Sequence, residues 1–530
     1  MTRTFPIDRR SLLRAGLGAA GAGALTACSG SGGGSGTSRG TGAGGGAALV
    51  GVGGPEVVAV EKARGGTGTE RRHTLTAAAA KVGLGAGITA RTWAFDGRAP
   101  GREIRIGAGD TLVAELSNQL PDRTPTSLHW HGLALRSDMD GVPPVTQAAV
   151  RAGASFTYRF IAPDPGTYFF HPHVGVQLDR GLHAPLIVED PREPLAYDTE
   201  WVVVLDDWLD GVTGTPDRAF AELTRGMDMG MGGHDMGGHG TGGGTDAPPA
   251  ATGLMLMGAR SELLGGDAGD VAYPHHLVNG RVAADPEVHR GKPGQRVRLR
   301  IVNAGADTAY RVALGGHRMT ITHTDGFPVR HEVVDALLVG MGERYDVLVT
   351  LADGVFPLVA LAEGKDATGM ALVRTGAGAP PAPTVRPKEL GGRIVTADRL
   401  RAADDVRLDT AKPDLVHRIE LGGGMAKYDW ALNGRRFDMN APDTAPLLIE
   451  EGRRVRLGFV NRTGMWHPMH LHGHTYQLGA DGPRKDTAIV LPGRTLAVDF
   501  DADNPGRWML HCHNAYHGEA GMMALVAYRA

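Results

Sequence analysis

The chain has 530 residues, 80 glycines, a formal net charge of -3 and only 5% aromatic residues. That charge argues against a nucleic-acid partner, which would need a basic surface. The length suits about three domains, and the composition suits a turn-rich all-β protein or a chain with flexible segments. Two cysteines, Cys28 and Cys512, exclude a disulfide framework.

The N-terminus reads Asp8-Arg9-Arg10-Ser11-Leu12-Leu13-Arg14, then a weakly apolar run from Ala15 to Ala27. It resembles a twin-arginine signal, which exports folded proteins. The run is too short to span a bilayer, which takes about 20 residues. It ends Leu25-Thr26-Ala27-Cys28, which resembles a lipoprotein cleavage box. Residues 1–28 are therefore expected to be a signal with a lipobox. Acylated Cys28 would anchor the exported protein on the outer face of the cytoplasmic membrane. The alternative is plain cleavage without lipid. Residues 29–48 read as a flexible Gly/Ser tether.

The body contains one pattern three times: a turn, a second Gly-containing turn, and an alternating strand closed by Asn. The copies begin at Phe95-Asp96-Gly97-Arg98, Val278-Asn279-Gly280-Arg281 and Leu432-Asn433-Gly434-Arg435. They close at Asn118, Asn303 and Asn461. Repeats of this size imply three copies of one domain. Short period-two strands separated by Gly, Pro, Asn and Asp predict Greek-key sandwiches or barrels. The expected domains are 49–195, 196–385 and 386–530. The first boundary follows Asp190-Pro191-Arg192-Glu193-Pro194, and the second falls at the Pro-rich 376–387 stretch.

Domain one carries His129-Trp130-His131 and His171-Pro172-His173. Domain two opens with a low-complexity insert, 226–240. It holds Met227, Met229, Met231, His234, Met236 and His239, and its soft and imidazole donors could bind labile copper. The bland reading is a Gly-rich loop with incidental methionines. The other histidines of domain two (His275, His276, His289, His317, His323, His331) form no His-x-His pair, so this domain reads as a metal-free spacer. Domain three carries His467-Pro468-Met469-His470-Leu471-His472-Gly473-His474 and His511-Cys512-His513, followed by His517 and Met522.

Cys512, His517 and Met522 supply the thiolate, one imidazole and the axial thioether of a blue-copper site. His467 can supply the missing imidazole. Spacing of two on a strand puts both members of a histidine pair on one face. Four pairs offer eight imidazoles, enough for a three-copper cluster between domains one and three. A lone His-x-His is more often incidental. Four, one of them wrapped around the only cysteine of the body, are not. His474 exceeds the ligand count and reads as structural.

These four motifs, covering the chain from about residue 75 to its end, resemble the three-domain multicopper oxidases, the family of laccases, ascorbate oxidase and bacterial copper-efflux oxidases. The resemblance implies three consecutive cupredoxin-like domains and four copper ions. Type 1 copper would be held by His467, Cys512 and His517, with Met522 axial. Type 2 copper would be held by His129 and His470. The type 3 pair would be held by His131, His171, His173, His472, His511 and His513. Two positions depart from relatives. Pro172 replaces a small polar residue, and Gly518 stands where several bacterial relatives carry an acid. Glu519, one residue later, would face away if the segment were extended.

The implied reaction is one-electron oxidation of a donor at type 1 copper, coupled to four-electron reduction of O2 to water. Electrons would enter at the edge of His467 or His517 and pass through Cys512 to His511 and His513. Asp140, nine residues after His131, matches an acid that serves a proton relay in relatives; its bland reading is a turn before Gly141. Asp486 in Arg484-Lys485-Asp486-Thr487 is expected to be structural. The donor is either Cu(I), as the insert suggests, or a phenol or aromatic amine, as in laccases. A copper-free structural relative is disfavoured because every expected ligand is present. A copper nitrite reductase is disfavoured because that class lacks these four motifs.

Overall fold

The computed structural model describes residues 48–226 and 250–530. The signal and lipobox, nearly all of the tether, and insert positions Met227 to Gly240 lie outside these residues.

Each repeat closes in the same way. Asp96, Asn279 and Asn433 adopt left-handed φ near 50°, each followed by a left-handed glycine. This is the conformation that short Asn/Asp-Gly hairpin turns require. In all three, the turn side chain accepts a backbone N–H from the strand that opens the domain: Thr76, Val204 and Glu420. The closing asparagines also repeat one contact. Asn118, Asn303 and Asn461 each donate through Nδ2 to two backbone carbonyls of the same domain. These bonds tie the end of the asparagine-closed strand to the backbone of its own domain.

The opening strand pairs in parallel with the strand that ends in that asparagine: Glu70–Gly85 with Thr111–Gln119, Thr199–Trp208 with Arg296–Asn303, and Leu415–Gly422 with Arg454–Asn461. Three pairs of sheets result, of four and four, seven and six, and six and five strands. Each pair encloses its own core, around Trp130 and Phe170, Leu299 and Tyr310, and Phe459 and Trp508. Truncating a fully buried tryptophan such as Trp130 would cost about 3–5 kcal/mol.

The second sheets of the first and last units position the histidines. His129–His131 runs antiparallel to Gly166–His171, with His129 opposite His171. His467–Leu471 runs antiparallel to Arg507–Cys512, with His470 opposite His511 and Met469 opposite Cys512. Cross-strand neighbours approach within about 5.5 Å, so each pairing brings two motifs together before any domain contact forms.

One segment departs from the expected extended form. Asn514 accepts N–H bonds from Tyr516 (3.0 Å) and His517 (3.1 Å). This cap starts a short helix, Ala515–Glu519. No helix among the described residues is long and apolar enough to cross a membrane.

Candidate metal centre

Two clusters form. In the first, His467 Nδ1 and His517 Nδ1 lie 3.1 Å apart, and Cys512 Sγ lies 3.6 and 3.7 Å from them. All three side chains are buried, and Cys512 is a free thiol. The other ring nitrogens are held from behind. His467 Nε2 pairs with Thr463 Oγ1 at 2.8 Å, and His517 Nε2 donates to Asp270 Oδ2 at 2.9 Å. These outer bonds aim both Nδ1 atoms at the sulfur. Fully buried Met522 is tied to the same loop. Its N–H donates to His517 O, and its carbonyl accepts Cys512 N–H, both at 3.0 Å. Burial disfavours a charge on His517, but Asp270 and the Cys512 sulfur outweigh it and raise its pKa to about 10.

The second cluster joins domain one to domain three. The His129 ring stacks on His472 and the His131 ring on His470, both at 3.8 Å between centroids. Groups able to share a metal are His129, His131 and His171; His129, His470 and His472; and His173, His472 and His511. His513 completes the ring of eight, 4.8 Å from His131 and 5.4 Å from His171. Nε2 of His129, His171, His173 and His470, Nδ1 of His131 and both nitrogens of His513 have no protein partner. A buried polar atom without a partner costs about 1–3 kcal/mol. So many in one place call for a common ligand. Burial first, and neighbouring imidazoles second, lower the pKa of His171, His173, His472 and His513 well below the usual range. These imidazoles are neutral near pH 7, as metal ligation requires.

Family profiles described as multicopper oxidase match residues 77–193, 199–377 and 410–530. A multicopper oxidase of Mycobacterium tuberculosis is 49% identical over 442 residues, covering 82% of this chain and 83% of its own. The chain belongs to the multicopper oxidase family. A copper resistance protein A homolog of Pseudomonas syringae is 29% identical, covering 82% of this chain and 88% of its own. A crystal structure of a multi-copper oxidase from Pseudomonas thermotolerans superposes with a TM-score of 0.63 at 26% identity, covering 87% of this chain and 99% of that one. As a multicopper oxidase, the protein is an oxidoreductase that carries four copper ions and uses O2 as acceptor. The fold is three consecutive cupredoxin-like domains.

The rest of this multicopper oxidase's site comes from residues distant in sequence. Asp140 follows a single turn, Ser137–Met139, and is fully buried. His472 Nδ1 donates to its Oδ2 at 2.8 Å, and His129 Nδ1 donates to its main-chain carbonyl at 2.9 Å. It therefore orients two histidines, one from each domain. His474, as expected, is supporting: it binds His472 O through Nδ1 and the Tyr528 hydroxyl through Nε2.

Two expectations are corrected, for the middle domain and for Glu519. Asp486, expected to be structural, braces the cluster. His131 Nε2 donates to its Oδ1 at 3.1 Å, and Arg344 grips both oxygens at 2.7 and 2.6 Å. Burial opposes its charge, but Arg344 and the imidazoles outweigh that and hold its pKa well below the usual range. Asp486 sits at the bend between the strands Arg484–Lys485 and Thr487–Val490. The middle third is more than a spacer. None of its histidines joins a cluster among the described residues. However, it supplies Asp270 to His517 and Arg344 to Asp486, and a Cβ on Gly342 would crowd His131 and His513 at 3.0 Å. Finally, Glu519 does not face away. The helix turns it into the lining of a cavity of about 40 Å³, beside His171, His173, His511 and His513. Burial first, and Asp217 second, raise its pKa.

Proposed function

We propose that this multicopper oxidase takes its electrons from cuprous ions, as part of copper tolerance. The observation that carries the reading is the presence of methionines against the core of the third domain, one of them beside the segment that holds Asp270. Met255 and Met425 pack against the core that contains all of Cys512, Met522 and Trp430. Met255 neighbours Leu256, whose N–H donates to the carbonyl of Asp270, the residue that binds His517. Thioethers are soft donors that favour Cu(I). The chain from Gly226 to Ala250 starts and returns on this side. Gly226 abuts Ala426, and Leu254 N–H donates to Glu222 in the preceding helix. The Met- and His-rich run of the sequence lies between these points, and the name of the Pseudomonas syringae relative agrees.

The proposed ligands are those implied by the motifs: His467, Cys512, His517 and Met522 for type 1; His129 and His470 for type 2; His131, His171, His173, His472, His511 and His513 for type 3. Bound there, the coppers supply the redox chemistry, accepting single electrons from the donor and reducing O2 to water with four. Cys512 is joined to His511 and His513 by single peptide links, so the protein spans the two clusters with covalent bonds alone. Asp140 orients His472 through Oδ2. Its Oδ1 lies 3.1 Å from His129 Nδ1 without a well-aligned bond and can hold a proton for transfer toward the site.

Oxidation of phenols is the second reading. The methionines named above are what favour Cu(I) over it; burial of both type 1 imidazoles keeps either donor from touching them directly. Export by the twin-arginine route, lipidation at Cys28 and the domain limits 49–195, 196–385 and 386–530 belong to the same proposal, on the sequence features given above.

Steady-state oxidation of Cu(I) and of a phenol should be compared before and after deleting 226–240. The expected result is a selective loss of Cu(I) oxidation. Unchanged Cu(I) rates would remove the reason for this reading.

A further inference from the structure

No donor can touch the imidazoles of the His467–Cys512–His517 triad directly. Both rings are 0% exposed, and their outward nitrogens are taken by Thr463 and Asp270. The expectation that electrons enter at an imidazole edge therefore fails. Something must carry the electron across the intervening layer.

One side chain packs on both rings. The Trp430 indole lies 4.2 Å from the His517 ring, tilted 36°, and 5.2 Å from the His467 ring. Trp430 is fully buried, and its Nε1 has no hydrogen-bond partner among the described residues. Its ring plane is thus placed by packing alone. Tyr428 follows at 6.0 Å from Trp430 and 6.1 Å from His517. Half-buried Phe220, on the helix Pro216–Thr224, lies 6.5 Å from Tyr428. These separations fall within the range of packed aromatic pairs. Together they form an unbroken ring-to-ring sequence from the outer helix to the triad.

We propose that Trp430 conducts the electron from the protein surface to the type 1 site, with Tyr428 and Phe220 as the outer steps. The proposal rests on the type 1 assignment above. The step moves one electron only. A one-electron donor at the surface is oxidised, the cupric ion held by His517 becomes cuprous, and no bond or proton moves. Tunnelling weakens steeply across gaps and saturated side chains; Tyr428 also reaches His517 through Asp270 Oδ2, at 2.8 and 2.9 Å, so removal of the Trp430 ring reads what its closer 4.2 Å contact adds to that route.

The test uses the copper-loaded full chain and hexaammineruthenium(II), an outer-sphere donor that needs no binding site. Bleaching of the blue absorption is followed by stopped flow. In Trp430→Leu the bleaching should slow about tenfold, while the blue band, its electron paramagnetic resonance signal, the reduction potential and reoxidation by O2 stay as in the wild type. Trp430→Phe, which keeps a ring, should slow it less. A wild-type bleaching rate in Trp430→Leu, with the blue band intact, overturns the proposal. If Trp430→Leu does not hold copper, Trp430→Phe and Tyr428→Leu are judged by the same criterion.

Titrating copper into the copper-free protein gives a readout independent of turnover. The copper-induced loss of tryptophan fluorescence should be smaller in Trp430→Phe; an undiminished loss counts against the contact. A wild-type protein without a blue band would instead overturn the type 1 assignment, so the two failures are distinguishable.

Discussion

Asp270 Oδ2 accepts a hydrogen bond from His517 Nε2 at 2.9 Å, linking residues 247 positions apart. The same oxygen accepts the Tyr428 hydroxyl at 2.8 Å. The Asp270 N–H is held in turn by the Asp307 carboxylate. A carboxylate on the outer nitrogen makes the imidazole a stronger donor and favours the oxidised metal.

Asp270→Asn should therefore raise the type 1 potential while the blue colour remains. About 60 mV, a tenfold change in a one-electron equilibrium, is the expected scale. A redox titration of the copper-loaded variant checks it. A potential that is unchanged or lower would show that the contact does not tune the metal.

Asp486 and Arg344 form a fully buried bidentate pair beside His131. Asp486→Ala leaves Arg344 without its main carboxylate partner. The expected cost is about 3–5 kcal/mol of stability. Copper should be lost from the histidine cluster before it is lost from the blue site. Thermal unfolding, copper content and the type 2 paramagnetic signal measure these effects. Full copper content with a near-normal melting temperature would refute the prediction.

Asp140→Asn keeps the shape of the side chain but removes its proton-carrying group. We expect reoxidation by O2 to slow about 10²–10⁴-fold, the usual range for loss of a general acid. Reduction of the blue site by hexaammineruthenium(II) should be unaffected. Equal slowing of both half-reactions would instead mean that Asp140 only orients His129 and His472.

Copper-free protein should lose stability as pH falls. Burial, then neighbouring imidazoles, depress His171, His173, His472 and His513 well below 6.5. Below 6.5 the unfolded chain binds protons at these positions and the folded chain does not, so protonation favours unfolding. His517 has the opposite sign. Its pKa is raised to about 10, so its contribution is complete below 6.5 and is lost as pH rises through 10. The four depressed groups outnumber it on the acid side. Melting temperatures of the copper-free protein should drop as pH falls through 6.5, and less so after copper loading. A flat profile for the copper-free protein would contradict the buried neutral cluster.

Much of the site was legible because its information is local. His511, Cys512 and His513 are covalent neighbours, and their strand pairs with the one bearing His470. In domain one, the strand of His129 and His131 pairs with the strand that ends at His171. The turn and closing-asparagine pattern was legible for the same reason: each copy satisfies the backbone of its own domain. Glu519 was misread because alternation assumed an extended segment. The Asn514 cap starts a helix there, and such a cap competes with strand geometry only where its side chain is free to bond the next turn.

By itself, the sequence determined the all-β repeat, the four histidine pairs and the single thiol among them. These depend on period-two geometry and on bonds within one domain. Only the tertiary structure decided that Asp270 caps His517, that Arg344 secures Asp486, and that Trp430 rather than solvent lies against the triad. The first two contacts join residues from different domains, and the third joins distant parts of one domain. They are set by how faces far apart in sequence desolvate and pack against one another, and no local periodicity records that outcome.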